Sequence, residues 1–245
     1  MLAVLFPESC CVCDADLASQ TSRARPASRL ESGKLRRPLV GALQVPLRLL
    51  CRACASRLRP AIGCAAPRGG VLHLSAFQPG PEIFEILHRF KYGGVPELAP
   101  WLGAWMARRV RRTLRPRPLL LVPVPLHAER LRERGFNQSR LLAEEVGRRI
   151  GCAVVEDLLV RRVATPPLAQ LEHAERRARV QGAFARKRAI PRRHALLVLV
   201  DDVVTTGATS AAALAALDVA DSLPCVVLSV CHASMESHYR PTRVL

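Results

Sequence analysis

The sequence predicts an α/β fold, with a parallel sheet flanked by helices and a small cysteine-bearing unit at the N-terminus. Three observations favour this class. Short apolar runs, among them 119–126 and 196–200, have the character of strands that are buried on both faces of a parallel sheet. Amphipathic segments of helical length lie between such runs. Two cysteine pairs precede the first predicted strand.

Length and composition set the number of domains. A chain of 245 residues is long enough for one α/β domain of ordinary size and a small appendage. Hydrophobic residues make up 49% of the chain but aromatic residues only 4%, so we expect a core of leucine, valine and alanine. The pattern changes near residue 70, which predicts a cysteine-rich unit over 1–70 and a second domain over 71–245.

The formal net charge is +17, a value typical of proteins that bind nucleic acid or another polyanion. Only three of the 37 basic residues are lysines and the other 34 are arginines, a skew that genomic base composition explains equally well. Direct contact with nucleic acid therefore stays an alternative.

The chain has no apolar run long enough to span a membrane and no basic, apolar leader at its N-terminus. We therefore expect a cytoplasmic protein with no membrane span. Nine cysteines in a reducing compartment favour metal ligands and buried thiols over disulfides.

The cysteine pairs of the N-terminal unit have the spacing of tetrahedral zinc sites, and a bound metal would stabilise a segment too small to build its own core. The gap between the pairs is long, and we interpret about 14–50 as a flexible insertion, which costs little in closure entropy. Cys11 and Cys64 remain as substitute ligands or as small core residues. The alternative is a ribbon that has lost its metal. The four predicted zinc ligands are Cys10, Cys13, Cys51 and Cys54.

The next elements are a strand over 71–77, a helix from Pro81 that the paired glycines at 93 and 94 end, and a helix over 96–115. Two histidines in this region, His73 and His88, have no companions at ligand spacing. We expect them to be surface or hydrogen-bonded residues rather than metal ligands.

A buried strand over 119–126 is followed by a basic loop and a helix over 140–150. Ligands of open α/β sheets bind beyond the carboxyl ends of the strands, so polar residues of this loop are candidates for binding a pyrophosphate. The alternative is a solvated basic loop in which Ser139 caps the helix. The candidates are Arg130, Arg134, Asn137 and Gln138.

The rest of the domain is predicted as a strand over 154–163, a strand over 196–200, a helix over 208–220 and a strand over 225–231. The stretch that begins at 196 is the most informative one. Asp201 and Asp202 follow the strand, and a hydroxyl-rich turn with one glycine leads into a strong helix former. The residues of the turn are Thr205, Thr206, Gly207, Ala208 and Thr209.

A strand, a turn and a helix start in this order bind phosphate in α/β proteins, because backbone N–H groups and the positive end of the helix dipole face the anion. The two carboxylates would repel a phosphate, so they need a vicinal diol, a divalent metal, or both. The alternative is a capped helix with Thr206 or Thr209 as N-cap. The chain contains no G-x-G-x-x-G and no G-x-x-x-x-G-K-[ST], which disfavours dinucleotide and Walker-type sites.

The stretch 196–209 resembles the motif with which type I phosphoribosyltransferases bind 5-phosphoribosyl 1-pyrophosphate (PRPP). The resemblance implies that Asp201 and Asp202 hold the 2′- and 3′-hydroxyls of ribose and that 205–209 binds the 5′-phosphate. It also implies a type I phosphoribosyltransferase-like sheet and Mg²⁺ as the cation that accompanies PRPP.

A second resemblance covers nearly the whole chain. The cysteine pairs, the Phe-Lys-Tyr-Gly-Gly sequence at 90–94, the loop 122–139 and the motif 196–213 are together similar to the ComF family of phosphoribosyltransferase-like proteins. That family is linked to DNA uptake in natural competence. The resemblance also implies a mobile lid over 164–182, where Leu168 and Arg179 replace polar residues that are common in the family.

Two hypotheses follow. The first is a phosphoribosyltransferase that displaces pyrophosphate from PRPP with a nucleophile, usually a nitrogen, of an unidentified acceptor. The second is a non-enzymatic adaptor that binds PRPP or a nucleotide and contacts DNA-processing proteins or DNA. Intact diol and phosphate residues favour ligand binding in either case. The changed lid, and the lack of an evident general base, favour the adaptor slightly.

Overall fold

The computed structural model of the chain describes residues 9–17, 49–62, 71–114, 116–164, 180–190, 196–218 and 224–233. Most of the predicted insertion at about 14–50, most of the predicted lid, and Cys64 therefore lie outside the described residues.

Five parallel strands form the main sheet, in the order β1-β7-β6-β2-β3. A separate antiparallel pair is formed by β4 and β5. The fold class is thus the predicted one, and β6 is the central strand. The strands are β1 Leu72–Phe77, β2 Leu119–Pro123, β3 Ala153–Val154, β4 Leu159–Arg161, β5 Phe184–Arg186, β6 Leu196–Val204 and β7 Cys225–His232.

Helices cover both faces of this sheet. The predicted helix boundaries agree with the structure to within three residues. The N–H of Gly93 bonds to the carbonyl of Arg89 at 2.9 Å, so the second helix ends where the paired glycines predict. The helices are α1 Arg52–Arg57, α2 Pro81–Tyr92, α3 Leu98–Thr113, α4 Ala128–Arg134, α5 Gln138–Ile150 and α6 Ala208–Leu217.

The apolar run of β6 is buried on both faces, as its composition predicts. Val198 and Val200 point into one core and Leu197 and Leu199 into the other, and all four side chains are fully buried. Hydrophobic burial on two sides fixes the position of this strand strongly. It therefore provides a rigid support for the residues that follow at 201–209.

The prediction of one strand over 154–163 is wrong. The structure has β3 in the main sheet, beside β2, and β4 in the antiparallel pair. A turn at Glu156 and Asp157 separates them. Two charged residues interrupt the apolar run at this turn. The chain leaves the edge of the main sheet there, and β4 pairs with β5 instead.

Helices α3 and α5 cross at close range. A Cβ built on Gly103 would lie 2.5 Å from the Cβ of Glu145, and one built on Gly147 would lie 2.8 Å from Val154 Cγ2. The absence of a side chain at both glycines lets α5 approach α3 and the sheet. This approach places the N-terminus of α5 beside the carboxyl end of β6.

The described part of the N-terminal unit packs on α2 and α3. Leu50 and Leu58 join the same apolar core as Phe90. Asp14 pairs with Arg89 at 3.1 Å, and the N–H of Ala61 bonds to the carbonyl of Ala76 at 2.9 Å. The cysteine-bearing segments and the sheet thus share one core, while the domain division at residue 70 stays a prediction.

None of the helices in the described ranges combines the length and the apolar character that a membrane crossing requires.

Candidate functional site

The central strand ends in two buried carboxylates. Asp201 and Asp202 belong to the C-terminal part of β6, which continues past the predicted end at 200, and they are only 9% and 8% exposed. Buried acidic residues are rare unless they are paired or hydrogen-bonded. The contacts that satisfy them therefore define the site.

Each carboxylate has its own partner. Ser139, in the first turn of α5, donates its hydroxyl to Asp201 Oδ1 at 3.1 Å, and the N–H of Asp202 donates to the same oxygen at 2.9 Å. Lys91 Nζ, at the end of α2, lies 3.0 Å from Asp202 Oδ1, which also accepts the N–H of Val203 at 2.6 Å. Among the described residues these contacts all fall on Oδ1, so Oδ2 of each aspartate can accept a further donor.

The surroundings of Asp201 change its protonation. Burial raises the pKa of Asp201 to about 7, and repulsion from Asp202 adds to the rise. The charge of Lys91 and the hydrogen bonds from Asp202 and Ser139 oppose it. A carboxyl that titrates near neutral pH at the end of a strand is typical of a functional site, although structural networks produce such shifts too.

The turn after β6 presents backbone donors. Gly207 is the N-cap of α6 and has a φ of 76°, a conformation that favours glycine. The N–H of Ala208 bonds to Thr206 Oγ1 at 3.3 Å, and that of Ala211 to the carbonyl of Gly207. Within the described ranges, the N–H groups of Thr209 and Ser210 have no protein acceptor.

The structure differs from the alternative in which a threonine caps α6. Neither Thr206 nor Thr209 is the N-cap, and the N-cap makes no side-chain capping bond. The first turn of α6 therefore offers open donors at the positive end of a ten-residue helix.

The arginines of the α4 region lie next to this edge of the sheet. Arg134 donates to Gln138 Oε1 and to Tyr92 Oη, both at 3.0 Å, and its guanidinium lies 4.7 Å above the Tyr92 ring. Arg130 pairs with Glu133 at 2.9 Å. Tyr92 directly follows Lys91, so the end of α2 contacts both the arginine group and the acidic pair.

The two amide candidates have structural contacts. Asn137, not Ser139, is the N-cap of α5: its Oδ1 accepts the N–H groups of Ser139 and Arg140, and its Nδ2 donates to the carbonyl of Val124. Gln138 is 1% exposed and accepts the bond from Arg134. Their role in pyrophosphate binding stays a prediction.

Sequence reasoning missed three residues of this site. The sequence predicts Ser139 as a possible cap and Lys91 as part of the stretch 90–94, but assigns neither residue to the acidic pair. Arg161, on β4, lies over the Phe184 ring at 5.4 Å. Burial and the charges of Arg130 and Arg134 lower its pKa, and Asp201 raises it, so these four groups are electrostatically coupled.

The expectation for His73 is also wrong in part. This residue is not on the surface but 7% exposed, and its Cε1 lies 3.7 Å from where a Cβ on Gly207 would be. His88 rests against Tyr92, with ring centroids 5.2 Å apart.

The four predicted zinc ligands form one cluster. Their Sγ atoms all lie within 4.8 Å of one another, and those of Cys13 and Cys51 are 3.7 Å apart. Tetrahedral zinc with Zn–S bonds of about 2.3 Å holds its sulfurs about 3.8 Å apart, so this donor set fits the metal. The N–H of Cys54 donates to Cys51 Sγ at 3.4 Å, which supports a thiolate there.

Two neighbouring thiols behave differently. Burial opposes ionisation of Cys10, but hydrogen bonds from the backbone of Cys51, Cys13 and Val12 lower its pKa to about 7. Burial raises the pKa of Cys11 to about 12, and its side chain lies in the core. Cys11 is thus a core residue and not a substitute ligand. The cluster supports a zinc-ribbon-like unit that could bind a metal such as zinc.

Comparison with known proteins adds relatives. No protein-family model matches the chain. It is 34% identical over 135 residues to DNA utilization protein YhgH of Salmonella typhi, a match that covers 54% of this chain and 59% of that one. Competence protein F of Haemophilus influenzae is 34% identical over 95 residues, or 38% of this chain and 41% of that one. Competence protein ComFC of Bacillus subtilis is 32% identical over 110 residues, or 44% and 43%.

The matches thus span less than two thirds of each relative's length. Among solved structures, TT1426 from Thermus thermophilus matches with a TM-score of 0.30 and 20% identity, over 58% of this chain and 85% of that one. A likeness of that size carries no argument.

The structure has a parallel sheet whose central strand ends in two carboxylates, followed by a turn at a helix start. This is the arrangement that the resemblance to type I phosphoribosyltransferases predicts. Over 38–54% of its length the chain is similar to proteins named for DNA utilization and for competence.

We expect the full chain, purified under zinc-replete, reducing conditions, to hold one zinc ion per molecule, measured by elemental analysis. Cys13→Ser and Cys51→Ser should each lose most of that zinc because three thiolates close the site poorly. Cys225→Ser, at the start of β7, is the matched control and should retain it. A wild-type protein without metal would contradict the assignment.

The raised pKa of Asp201 predicts a pH-dependent stability. The folded chain keeps a proton on this group up to about pH 7, whereas the unfolded chain loses it near pH 4, so the stabilising effect of that proton disappears as the pH rises from about 4 through 7. Asp201→Asn cannot ionise. Its free energy of unfolding should therefore rise relative to wild type between pH 4 and pH 8, by about 1.4 kcal/mol per unit of displaced pKa.

Urea denaturation at a series of pH values measures this effect. Asp218→Asn, at the exposed end of α6, is the control and should show no such trend. An Asp201→Asn variant that is less stable by the same amount at every pH would rule out the assigned titration.

Proposed function

We propose that the chain binds PRPP at the carboxyl end of β6 and transfers its phosphoribosyl group to an acceptor, in a process connected with competence and DNA uptake. The observation that carries the proposal is the pairing of two buried carboxylates with a turn whose following amides have no protein acceptor among the described residues, on one strand–helix unit.

The ribose diol fits the acidic pair. A carboxylate accepts through both oxygens, and the contacts described above leave Oδ2 of Asp201 and Asp202 for two vicinal hydroxyls. Lys91 and Ser139 hold the opposite oxygens in place. A rigid pair of acceptors of this kind would bind a diol with little loss of side-chain entropy.

The 5′-phosphate fits the turn 205–209. Phosphate accepts from backbone N–H groups at a helix N-terminus, where the helix dipole also favours negative charge. Thr209 and Ser210 supply such groups, and the glycine at 207 keeps the approach open. The acids and these amides belong to the same strand–helix unit. One sugar phosphate could therefore place its diol at the acids and its phosphate at the amides.

The pyrophosphate fits the arginines. Arg161 lies within electrostatic reach of Arg130 and Arg134, whose charges lower its pKa, and of Asp201, whose charge raises it. Guanidinium groups bind phosphate oxygens through paired, charge-assisted hydrogen bonds. Arg161 extends the set that the sequence predicted, and Asn137 contributes by orienting α5.

The reaction would be displacement of pyrophosphate from the anomeric carbon by a nucleophile, usually a nitrogen. Positive charge develops on the sugar as the bond to pyrophosphate breaks, and the chain's part is to position the ligand and stabilise charge. Magnesium would accompany the diphosphate of PRPP and neutralise its charge. Among the described residues none is placed as a general base.

The names of the relatives support the biological setting. Those names refer to DNA utilization and to competence. A chain of +17 formal charge with a cysteine-rich unit is suited to contacts with DNA-processing proteins or with DNA itself.

The second candidate is an adaptor that binds PRPP or a nucleotide without turnover. The lack of a described residue placed as a general base favours it, because an acceptor nitrogen would then have no protein group to take its proton. The changed residues of the family's lid, Leu168 and Arg179, lie outside the described residues.

Calorimetry with PRPP and magnesium tests the site. At pH 8, above the pKa of Asp201, we expect wild type to bind and the isosteric double variant Asp201→Asn/Asp202→Asn to bind about a hundredfold more weakly, because the hydrogen bonds to carboxylate acceptors are lost. The control is Asp218→Asn, which should bind as wild type does. Equal affinity of the double variant would contradict the proposal.

Release of pyrophosphate from PRPP, assayed with a panel of bases and amines, separates the two candidates. Acceptor-dependent release supports the transferase. PRPP affinity without release across the panel supports the adaptor. Absence of both would reject the two candidates together.

A further inference from the structure

A buried histidine lies beneath the turn that the proposed function assigns to phosphate. His73 is on β1, whose neighbour in the sheet is β7, and its side chain points to the face covered by α6. The residue is 7% exposed, and its Cε1 approaches Gly207, the N-cap of α6. Its Nδ1, one of the two ring nitrogens bonded to Cε1, has no hydrogen-bond partner among the described residues.

An imidazole nitrogen buried without a partner is costly, and nothing in the apolar packing of the strand requires a histidine at this position. Valine or leucine would fill the site at lower cost. This nitrogen lies beside the open N-terminus of α6. A proton on the His73 ring would therefore place positive charge under an anion bound at that terminus.

The surroundings of His73 keep it neutral without ligand. Burial lowers its pKa to about 4, and His232 at the end of β7, with a ring centroid 5.5 Å away, contributes to the lowering. The turn 205–209 and α6 carry no ionisable side chain. The carboxylates Asp201 and Asp202 are on β6, which β7 separates from β1.

We propose that His73 takes up a proton from solvent when a phosphate- or sulfate-type dianion binds at the turn 205–209, and that the imidazolium then strengthens the binding. This inference rests on the anion site of the proposed function. It makes His73 a positioning residue of that site and not a catalytic one.

The direction of the pH effect follows from linkage. An anion nearby raises the pKa of the histidine, typically by one to three units for an opposite charge within about 4–6 Å. The complex then holds a proton that the empty site lacks, so affinity for the anion increases as the pH falls. For a rise of about two units above 4, the gain is about tenfold at pH 5 and close to nothing at pH 8.

Sulfate is the probe because it remains a dianion from pH 5 to pH 8. Asp201 titrates in the same range, so wild type alone cannot isolate His73. The comparison is with His73→Gln, which keeps a polar side chain but cannot ionise, and the matched control is His88→Gln on the exposed face of α2. We expect wild type and His88→Gln to bind sulfate about tenfold more tightly than His73→Gln at pH 5, and equally at pH 8.

A second measurement follows the titration of His73 in the wild-type chain by NMR and uses the variant only to assign the resonances. The ring resonances of His73 in the wild-type chain, assigned by their loss in His73→Gln, should titrate at higher pH when sulfate or PRPP is present. An unchanged His73 titration with bound ligand, or an equal sulfate affinity of His73→Gln and wild type at pH 5, would overturn this inference and leave PRPP binding standing. Failure of both sulfate and PRPP to bind would overturn it together with the proposed function.

Discussion

The burial of two adjacent carboxylates at the end of the central strand is the constraint on which the rest of the structure depends. Buried charges are tolerated only where partners compensate for lost water. Asp201 takes its partner from α5 and Asp202 takes its partner from α2. Both helices must therefore begin or end at this edge of the sheet, and the two glycines that let α5 approach α3, Gly103 and Gly147, are part of the same requirement.

The N-terminal cysteine unit belongs to this arrangement through α2. Apolar residues of the unit share a core with the helix, and Arg89 pairs with Asp14 beside the cysteine cluster. Two residues later Lys91 reaches Asp202. A single helix thus connects the cysteine cluster with the acidic pair. Metal that holds the unit folded would also hold α2, and with it the lysine that compensates the buried charge.

Sequence patterns predicted those parts of the chain whose local structure depends on a single local rule. The apolar run before Asp201, the glycine stop after Tyr92 and the spacing of the cysteines each contain enough information by themselves. Other features depend on neighbours that no local pattern contains. Asn137 and Ser139 are both good helix caps, and only the backbone position of α5 decides which one caps and which one bonds to Asp201. The buried histidine of β1 and the arginine of β4 acquire their surroundings from distant strands, and the turn at 156–157 redirects a run that looks continuous in composition.

The most direct test of the central claim is a crystal structure of the chain with PRPP and magnesium. We expect the 5′-phosphate on the N–H groups of Thr209 and Ser210, with the ribose hydroxyls on Oδ2 of Asp201 and Asp202. A ligand bound elsewhere, with the acidic pair still held only by Ser139 and Lys91, would contradict it.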